Sequence, residues 1–147
     1  MGLLFYVLAF LTGVAMSVQS AVNSGLRQGF GNPLLAAVTS FGTGFLALIL
    51  AQVFVGNPLP TLESIRQISW WKWTGGLIGA CYVTTVIVTI SKIGPGNLLS
   101  LSVAGQLIAA VILDHYGLLG FTPHPANAWR LLGVAMIIGG VLLVVKN

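Results

Sequence analysis

Charge is absent from five long stretches of this 147-residue chain, which are residues 1–26, 28–62, 73–91, 93–113 and 131–145. A hydrocarbon core about 30 Å thick takes roughly 20 consecutive apolar residues to cross as a helix. Four of the stretches meet that length directly, and the fifth meets it once Ala128 and Trp129 are included. The pattern predicts a polytopic membrane protein with five transmembrane helices.

The composition excludes a water-soluble surface. Charged residues make up 5% of the chain and hydrophobic residues 56%, whereas soluble domains carry about 25% charged residues. The net charge of +4 does not indicate a nucleic-acid partner, because the six Lys and Arg residues are scattered singly, as is ordinary at the ends of membrane helices. We expect the lipid bilayer as the environment and no nucleic acid as a partner.

Local signals divide the chain into one all-α bundle, a single transmembrane domain over residues 1–147. Asn32-Pro33 is typical of a helix start, and Thr61 can cap a short interfacial helix in the 57–69 link. Trp70, Trp71 and Trp73 mark the entry of the third span at headgroup level, and Gly94-Pro95-Gly96 predicts a tight turn. The approximate helices expected are 3–26, 33–55, 70–91, 97–116 and 128–145.

The first helix carries a polar face. At about 100° per residue, Thr12, Met16, Gln19 and Asn23 fall on one side. Unpaired amides in hydrocarbon are costly, so these groups need partners. Gln19 and Asn23 therefore either line a water-filled path or form hydrogen bonds between helices.

Further polar groups lie in the third and fourth spans. Ser102, Gly105 and Gln106 share one face of the fourth, and Gln106 lies near its middle. We interpret Gln106 as the best single candidate for contact with a solute, the alternative being an interhelical hydrogen bond. Tyr82 of the third span is added to the candidate path. Threonines of that span are weaker evidence, because a threonine hydroxyl can bond to its own helix backbone.

Asp114 is the one acidic residue within a predicted span, and ionisable residues there are functional by default. Together with the adjacent His115 it is a candidate for proton coupling. Asp114 also lies near the end of its helix, where Lys72 and Arg130 are expected on the same membrane side. The alternative is an interfacial ion pair.

The sequence contains few features that would indicate an enzyme. The two histidines are nine residues apart and lie outside a metal-ligand pattern, no pair of intramembrane aspartates occurs, and no G-x-S-x-G motif is present. We predict a protein that is not an enzyme, with no catalytic residues, metal or cofactor. Amide and hydroxyl groups inside a helical bundle suit selective passage of a solute better than bond cleavage.

Six short motifs follow one another along the chain, namely Gln19-Ser-Ala-Val-Asn23, Gly31-Asn-Pro33, Ser40-Phe-Gly-Thr-Gly44, Trp70-Trp71 with Gly75-Gly-Leu-Ile-Gly79, Val103-Ala-Gly-Gln-Leu107 and Asp114-His-Tyr-Gly-Leu-Leu-Gly120. This ordered set resembles the YdcZ-type family of the drug/metabolite transporter superfamily. The resemblance implies a five-helix protein of the bacterial inner (plasma) membrane that exports a small metabolite or drug-like compound. The chain is more distantly similar to the small multidrug resistance exporters, whose first helix carries a glutamate, whereas the first span here has no acid.

The function predicted is transport of a small solute by a homodimer with a central polar path. A non-transporting membrane subunit of a larger complex and a passive channel remain as alternatives. Five spans put three basic residues on each side of the membrane, so the Lys and Arg bias that normally orients a chain is missing. This balance favours insertion in both orientations and an antiparallel dimer, although equal numbers can also arise by chance in a chain with so few charges.

Overall fold

The computed structural model describes residues 2–146 and contains only helices, turns and irregular segments within that range. Single turns of 3-10 helix cover Trp70–Thr74 and Leu118–Gly120. The predicted all-α membrane architecture is confirmed. The α-helices are α1 (Gly2–Phe30), α2 (Pro33–Val55), α3 (Leu62–Arg66), α4 (Gly75–Tyr116) and α5 (Ala128–Lys146).

Both ends of α2 carry capping residues, and the start is the predicted Asn32-Pro33. The Asn32 side chain accepts hydrogen bonds from the backbone N–H groups of Leu34 and Leu35 at 2.8 and 3.2 Å, and Pro33 occupies the first helical position. Proline suits that position because its missing N–H would have no helical partner there. Gly56 ends the helix in the left-handed conformation, with φ 67°, which glycine adopts without steric cost.

The interfacial link contains the short helix predicted from its cap. Thr61 accepts a hydrogen bond from the Ser64 N–H at 3.2 Å, and α3 follows it. Leu62 and Ile68 are exposed, at 64% and 41%, as expected for apolar groups of a segment that rests at a lipid headgroup boundary.

The first helix is longer than predicted. We expected it to end near residue 26, before a glycine-rich link, but α1 continues to Phe30. It ends at Gly31, whose φ is 65° and whose N–H bonds to the Arg27 carbonyl at 2.8 Å. The helix tolerates Gly25 and Gly29 because a helical glycine costs only about 1 kcal/mol relative to alanine. Arg27 therefore belongs to the last turn of α1.

A single residue interrupts α4. The helix has 42 residues and would be about 63 Å long if straight, twice the thickness of a bilayer core. Gly94 breaks it with φ 79° and ψ 163°, a backbone region that is essentially restricted to glycine. The predicted turn over Gly94-Pro95-Gly96 is thus narrower than expected, because Pro95 already starts the next helical part.

Four helical segments within residues 2–146 are long and apolar enough to cross a membrane. One of them is the segment Trp70–Tyr116, which includes the break at Gly94. The parts before and after Gly94 correspond to the third and fourth predicted spans.

The chain forms two compact units, one ending at Lys92 and one beginning at Ile93. The core of the first unit consists of Ala36 and Ala37 at the start of α2, packed with Val83 and Ile87 of α4. Small residues allow close approach of helices where lipid removes the hydrophobic drive. Large apolar side chains are mostly on the outside, for example Phe54 at 87% exposure, which is favourable only against lipid.

Candidate functional site

Most hydroxyl groups within the helices are satisfied by their own helix. Thr12 donates to the Ala9 carbonyl at 2.6 Å, Ser20 to the Met16 carbonyl at 2.8 Å and Thr84 to the Ala80 carbonyl at 2.8 Å. Ser100 of α4 donates to the Gly96 carbonyl in the same way, at 2.8 Å. These residues need no external partner and can lie in hydrocarbon at little cost.

The amides are different. The side chains of Gln19, Asn23 and Gln106 make no hydrogen bond to any other residue in the described range 2–146. None of the three amides bonds to a carbonyl of its own helix as the hydroxyls of Ser20 and Thr84 do. Leaving one unpaired in hydrocarbon costs several kcal/mol, about 4–8 on the scale of transfer to cyclohexane. Each of the three therefore requires water, a solute or a second chain.

Asn23 is the most enclosed of the three, with 3% of its surface exposed. No fully enclosed side-chain nitrogen or oxygen in the described part of the chain lacks a hydrogen bond. The Asn23 amide, which forms none, therefore keeps a small opening to the exterior. Ser20, with 5% exposure, lies beside it on α1.

Gln19 lies one turn before Asn23 and lines a groove between α1 and α2. The groove has a volume of about 340 Å³, and its α2 wall includes Ser40 and Gly44. That volume lies within the range of small-molecule sites, about 300–1,000 Å³. The remaining lining residues are apolar, namely Phe41, Phe45 and Leu48.

The predicted residues of the fourth span lie in the second unit. Gly105 and Gln106 are exposed, and Ser102 is half-buried. A Cβ at Gly105 would meet no atom within 4 Å, so the backbone beside Gln106 is open to close approach. Tyr82 lies elsewhere, half-buried against the Ala36, Ala37, Val83 and Ile87 core of the first unit.

Asp114 joins the end of α4 to the start of α5. Arg130 Nη2 donates to Asp114 Oδ2 at 2.6 Å, with the two side chains 36% and 34% exposed. The Asp114 carbonyl accepts the His124 N–H at 2.7 Å, and Arg130 Nη1 donates to the His124 carbonyl at 3.1 Å. The carboxylate, the guanidinium and the connecting loop thus form one hydrogen-bonded hairpin.

The two histidines add to this hairpin. His115 Nδ1 accepts the Ala126 N–H at 3.0 Å, so in the neutral ring the proton lies on Nε2. His124 Nδ1 lies 2.9 Å from the Thr122 carbonyl and must donate to it, because a carbonyl only accepts. Both rings fix the path of the loop between α4 and α5.

Arg27, in the last turn of α1, is a polar residue that was not predicted from the sequence as part of a site. Its Nη1 donates to the carbonyls of Ile87 and Val88, at 3.1 and 3.5 Å, and to Ser91 Oγ. The signal available in the sequence was its spacing, since Gln19, Asn23 and Arg27 recur every four residues and so share one side of a helix. Because the predicted helix ends at residue 26, the prediction leaves Arg27 outside this series.

The described residues do not form a ligand set of the kind that holds metal ions. Within residues 2–146, no group of three or more His, Cys, Asp or Glu residues is placed to hold a metal ion. Cys81 is free and exposed.

The chain matches, over residues 4–143, the family described as "Putative inner membrane exporter, YdcZ". It is 25% identical over 142 residues to "Inner membrane protein YdcZ" of Escherichia coli (strain K12), covering 95% of each chain. It is 31% identical over 116 residues to "Hemin transport system permease protein HmuU" of Yersinia pestis, covering 78% of this chain but 33% of that protein. This chain thus aligns with about a third of HmuU. No solved structure matches significantly.

Proposed function

We propose, since the chain belongs to the YdcZ family of inner-membrane proteins, that it exports a small solute along a polar path through the bilayer. The protein is a multi-pass component of the bacterial inner membrane. The YdcZ match and the similarity to a permease support a membrane transporter and agree with a role other than catalysis. The proposal includes outward transport, and it includes a metabolite or a drug-like compound as the solute.

The observation that carries the proposal is the set of unpaired amides. Several hydroxyl groups of the same helices, such as those of Ser20 and Thr84, bond within their own helix, whereas Gln19, Asn23 and Gln106 have no partner in the described chain. Each amide left unpaired in hydrocarbon would lower the stability of the folded protein by several kcal/mol. A hydrated path that contacts a polar solute removes this cost and explains why amides occur there.

A second copy of the chain completes the path in this proposal. Larger transporters place their substrate near the midplane, between two related halves. A chain of 147 residues corresponds to one such half, and the exposed Gly105 and Gln106 offer an open polar surface for the other. A homodimer supplies both halves from one sequence.

The test combines a search for the solute with one variant. Solutes that raise the thermal stability of the purified protein are selected from a metabolite library and measured for flux in proteoliposomes. Saturable flux supports a transporter, and flux that never saturates indicates a passive channel. Gln106→Leu should abolish the flux while the protein still folds, because leucine removes the amide without removing volume.

The matched control is Ile108→Leu, an isomeric change at a position that is 41% exposed and about 200° around the helix from Gln106. We expect this control to transport normally. Normal flux in Gln106→Leu would show that the amide is not in the path.

A second candidate function is favoured by the similarity to HmuU, which is by its name a permease of a transport system. In this alternative the chain is a membrane subunit of a larger complex, and its amides bond to other subunits. Mild solubilisation from the native membrane would then recover a stoichiometric second protein, and the chain purified alone would show no saturable flux.

A further inference from the structure

Only one of the three guanidinium nitrogens of Arg27 makes hydrogen bonds within residues 2–146. Nη1 makes all of its hydrogen bonds, to the Ile87 and Val88 carbonyls and to Ser91 Oγ. Nε and Nη2 bond to no residue within 2–146. These two nitrogens form the parallel fork of donors that matches a carboxylate or phosphate with two hydrogen bonds.

The charge of Arg27 has no acidic counterpart. The chain has two acidic residues, Glu63 and Asp114, and the ion pair found in the described range is that of Asp114 with Arg130. Helix carbonyls near the end of the first part of α4 offset some of the charge, since a helix C-terminus carries partial negative charge. This contact accounts for Nη1 alone and leaves a half-buried cation with its fork free.

A cavity lined mainly by polar residues lies at the same place. It has a volume of about 330 Å³ and is lined by Ser24, Arg27, Gln28, Gly31 and Ser91. The lining combines one cation with hydroxyl and amide groups and contains no acid, which is a suitable environment for an anion. Arg27 is two turns, or about 12 Å, from Gln19 along α1, with Asn23 between them.

We propose that this cavity binds an oxyanion, a carboxylate or phosphate group, through the Nε and Nη2 donors of Arg27. The inference rests on the proposed transport function and names its substrate class, a small organic anion that enters or leaves the amide path at the Arg27 end. An anionic lipid headgroup presents the same chemistry at this depth, and the experiment separates the two sources.

The experiment measures equilibrium binding to the full chain, purified in an uncharged maltoside detergent at constant ionic strength. The probe is radiolabelled succinate, with inorganic phosphate and the neutral analogue succinamide as competitors. We expect saturable binding that phosphate competes for and succinamide does not. Arg27→Gln should weaken it at least about 10-fold, the effect of losing charge-assisted hydrogen bonds.

Two further variants separate binding from folding. Arg66→Gln removes the same charge from the interfacial helix α3 and should bind succinate as the parent does. Arg27→Lys keeps a cation at the helix end but removes the fork, so it should fold and bind several-fold more weakly. Parent-like binding in both Arg27 variants, or competition by succinamide as strong as that by succinate, would overturn the proposal.

Lipid is added last. Binding of succinate without lipid assigns a soluble oxyanion, whereas Arg27-dependent stabilisation by phosphatidylglycerol with no response to succinate or phosphate assigns a headgroup. The absence of an Arg27-dependent response to any of the three anions would overturn the site. Because binding is measured without flux, its outcome is independent of the Gln106→Leu transport test.

Discussion

At the scale of single residues, the polar side chains of the helices differ in whether they bond to their own helix. Ser20 and Thr84 reach a carbonyl of their own helix, whereas the longer amides of Gln19, Asn23 and Gln106 do not bond within the described chain. Sequence alone left path lining and interhelical bonding open for these amides. No hydrogen bond joins the three amides to another helix within residues 2–146, so interhelical bonding within one chain is not observed.

The Asp114–Arg130 pair gives a prediction at the same scale. Both side chains are about one-third exposed, and pairs of this kind contribute roughly 0.2–1 kcal/mol. Asp114→Asn and Arg130→Gln should each lower thermal stability slightly, and a double-mutant cycle should give a coupling energy within that range. If flux proves to be proton-driven, we expect coupling to survive in Asp114→Asn, and its loss would instead assign proton transfer to this carboxylate.

At the scale of helices, the cap residues were predictable and the tertiary contacts were not. Asn32, Thr61 and Gly56 act through neighbours within four residues, so local sequence contains all of the information. Arg27 contacts Ile87 across sixty positions, and no periodicity within one helix indicates such a partner. The end of α1 was missed because glycine is only a weak helix breaker.

Gly94 gives the prediction that belongs to this scale. Its φ of 79° and ψ of 163° are unfavourable for any residue with a Cβ, at about 1–3 kcal/mol. Gly94→Ala should therefore lower the free energy of unfolding by that amount, measured by thermal or denaturant unfolding in detergent. Gly96→Ala is the matched control, since Gly96 is helical and its Cβ would meet no atom within 4 Å. Equal stability of the two variants would contradict the assigned break.

At the scale of the whole molecule, the basic residues are evenly divided between the two predicted sides. The predicted order of spans assigns Arg66, Lys72 and Arg130 to one side, and Arg27, Lys92 and Lys146 to the other. The contact of Arg27 with the Ile87 and Val88 carbonyls brings the C-terminal ends of α1 and of the first part of α4 together, as expected for two spans that cross in the same direction. The order of the spans was thus accessible from the sequence, but the packing between them was not.

This balance predicts insertion in both orientations, since orientation follows the Lys and Arg bias. Reporter fusions at the C-terminus should reveal cytoplasmic and external populations together. Two lysines added to either side should shift the mixture to one orientation. A one-sided C-terminus in the unmodified chain would exclude the antiparallel homodimer.

A hydrated path lined by the unpaired amides makes a cysteine introduced at these positions reactive from water, which can be tested without knowledge of the solute. In a Cys81→Ala background, Gln19→Cys, Asn23→Cys and Gln106→Cys are treated in membranes with an impermeant, charged methanethiosulfonate. Val18→Cys and Ile108→Cys are the controls, because both positions are exposed and apolar and face away from the amides. We predict modification at the three amide positions and little at the two controls. Equal protection of all five positions would contradict it.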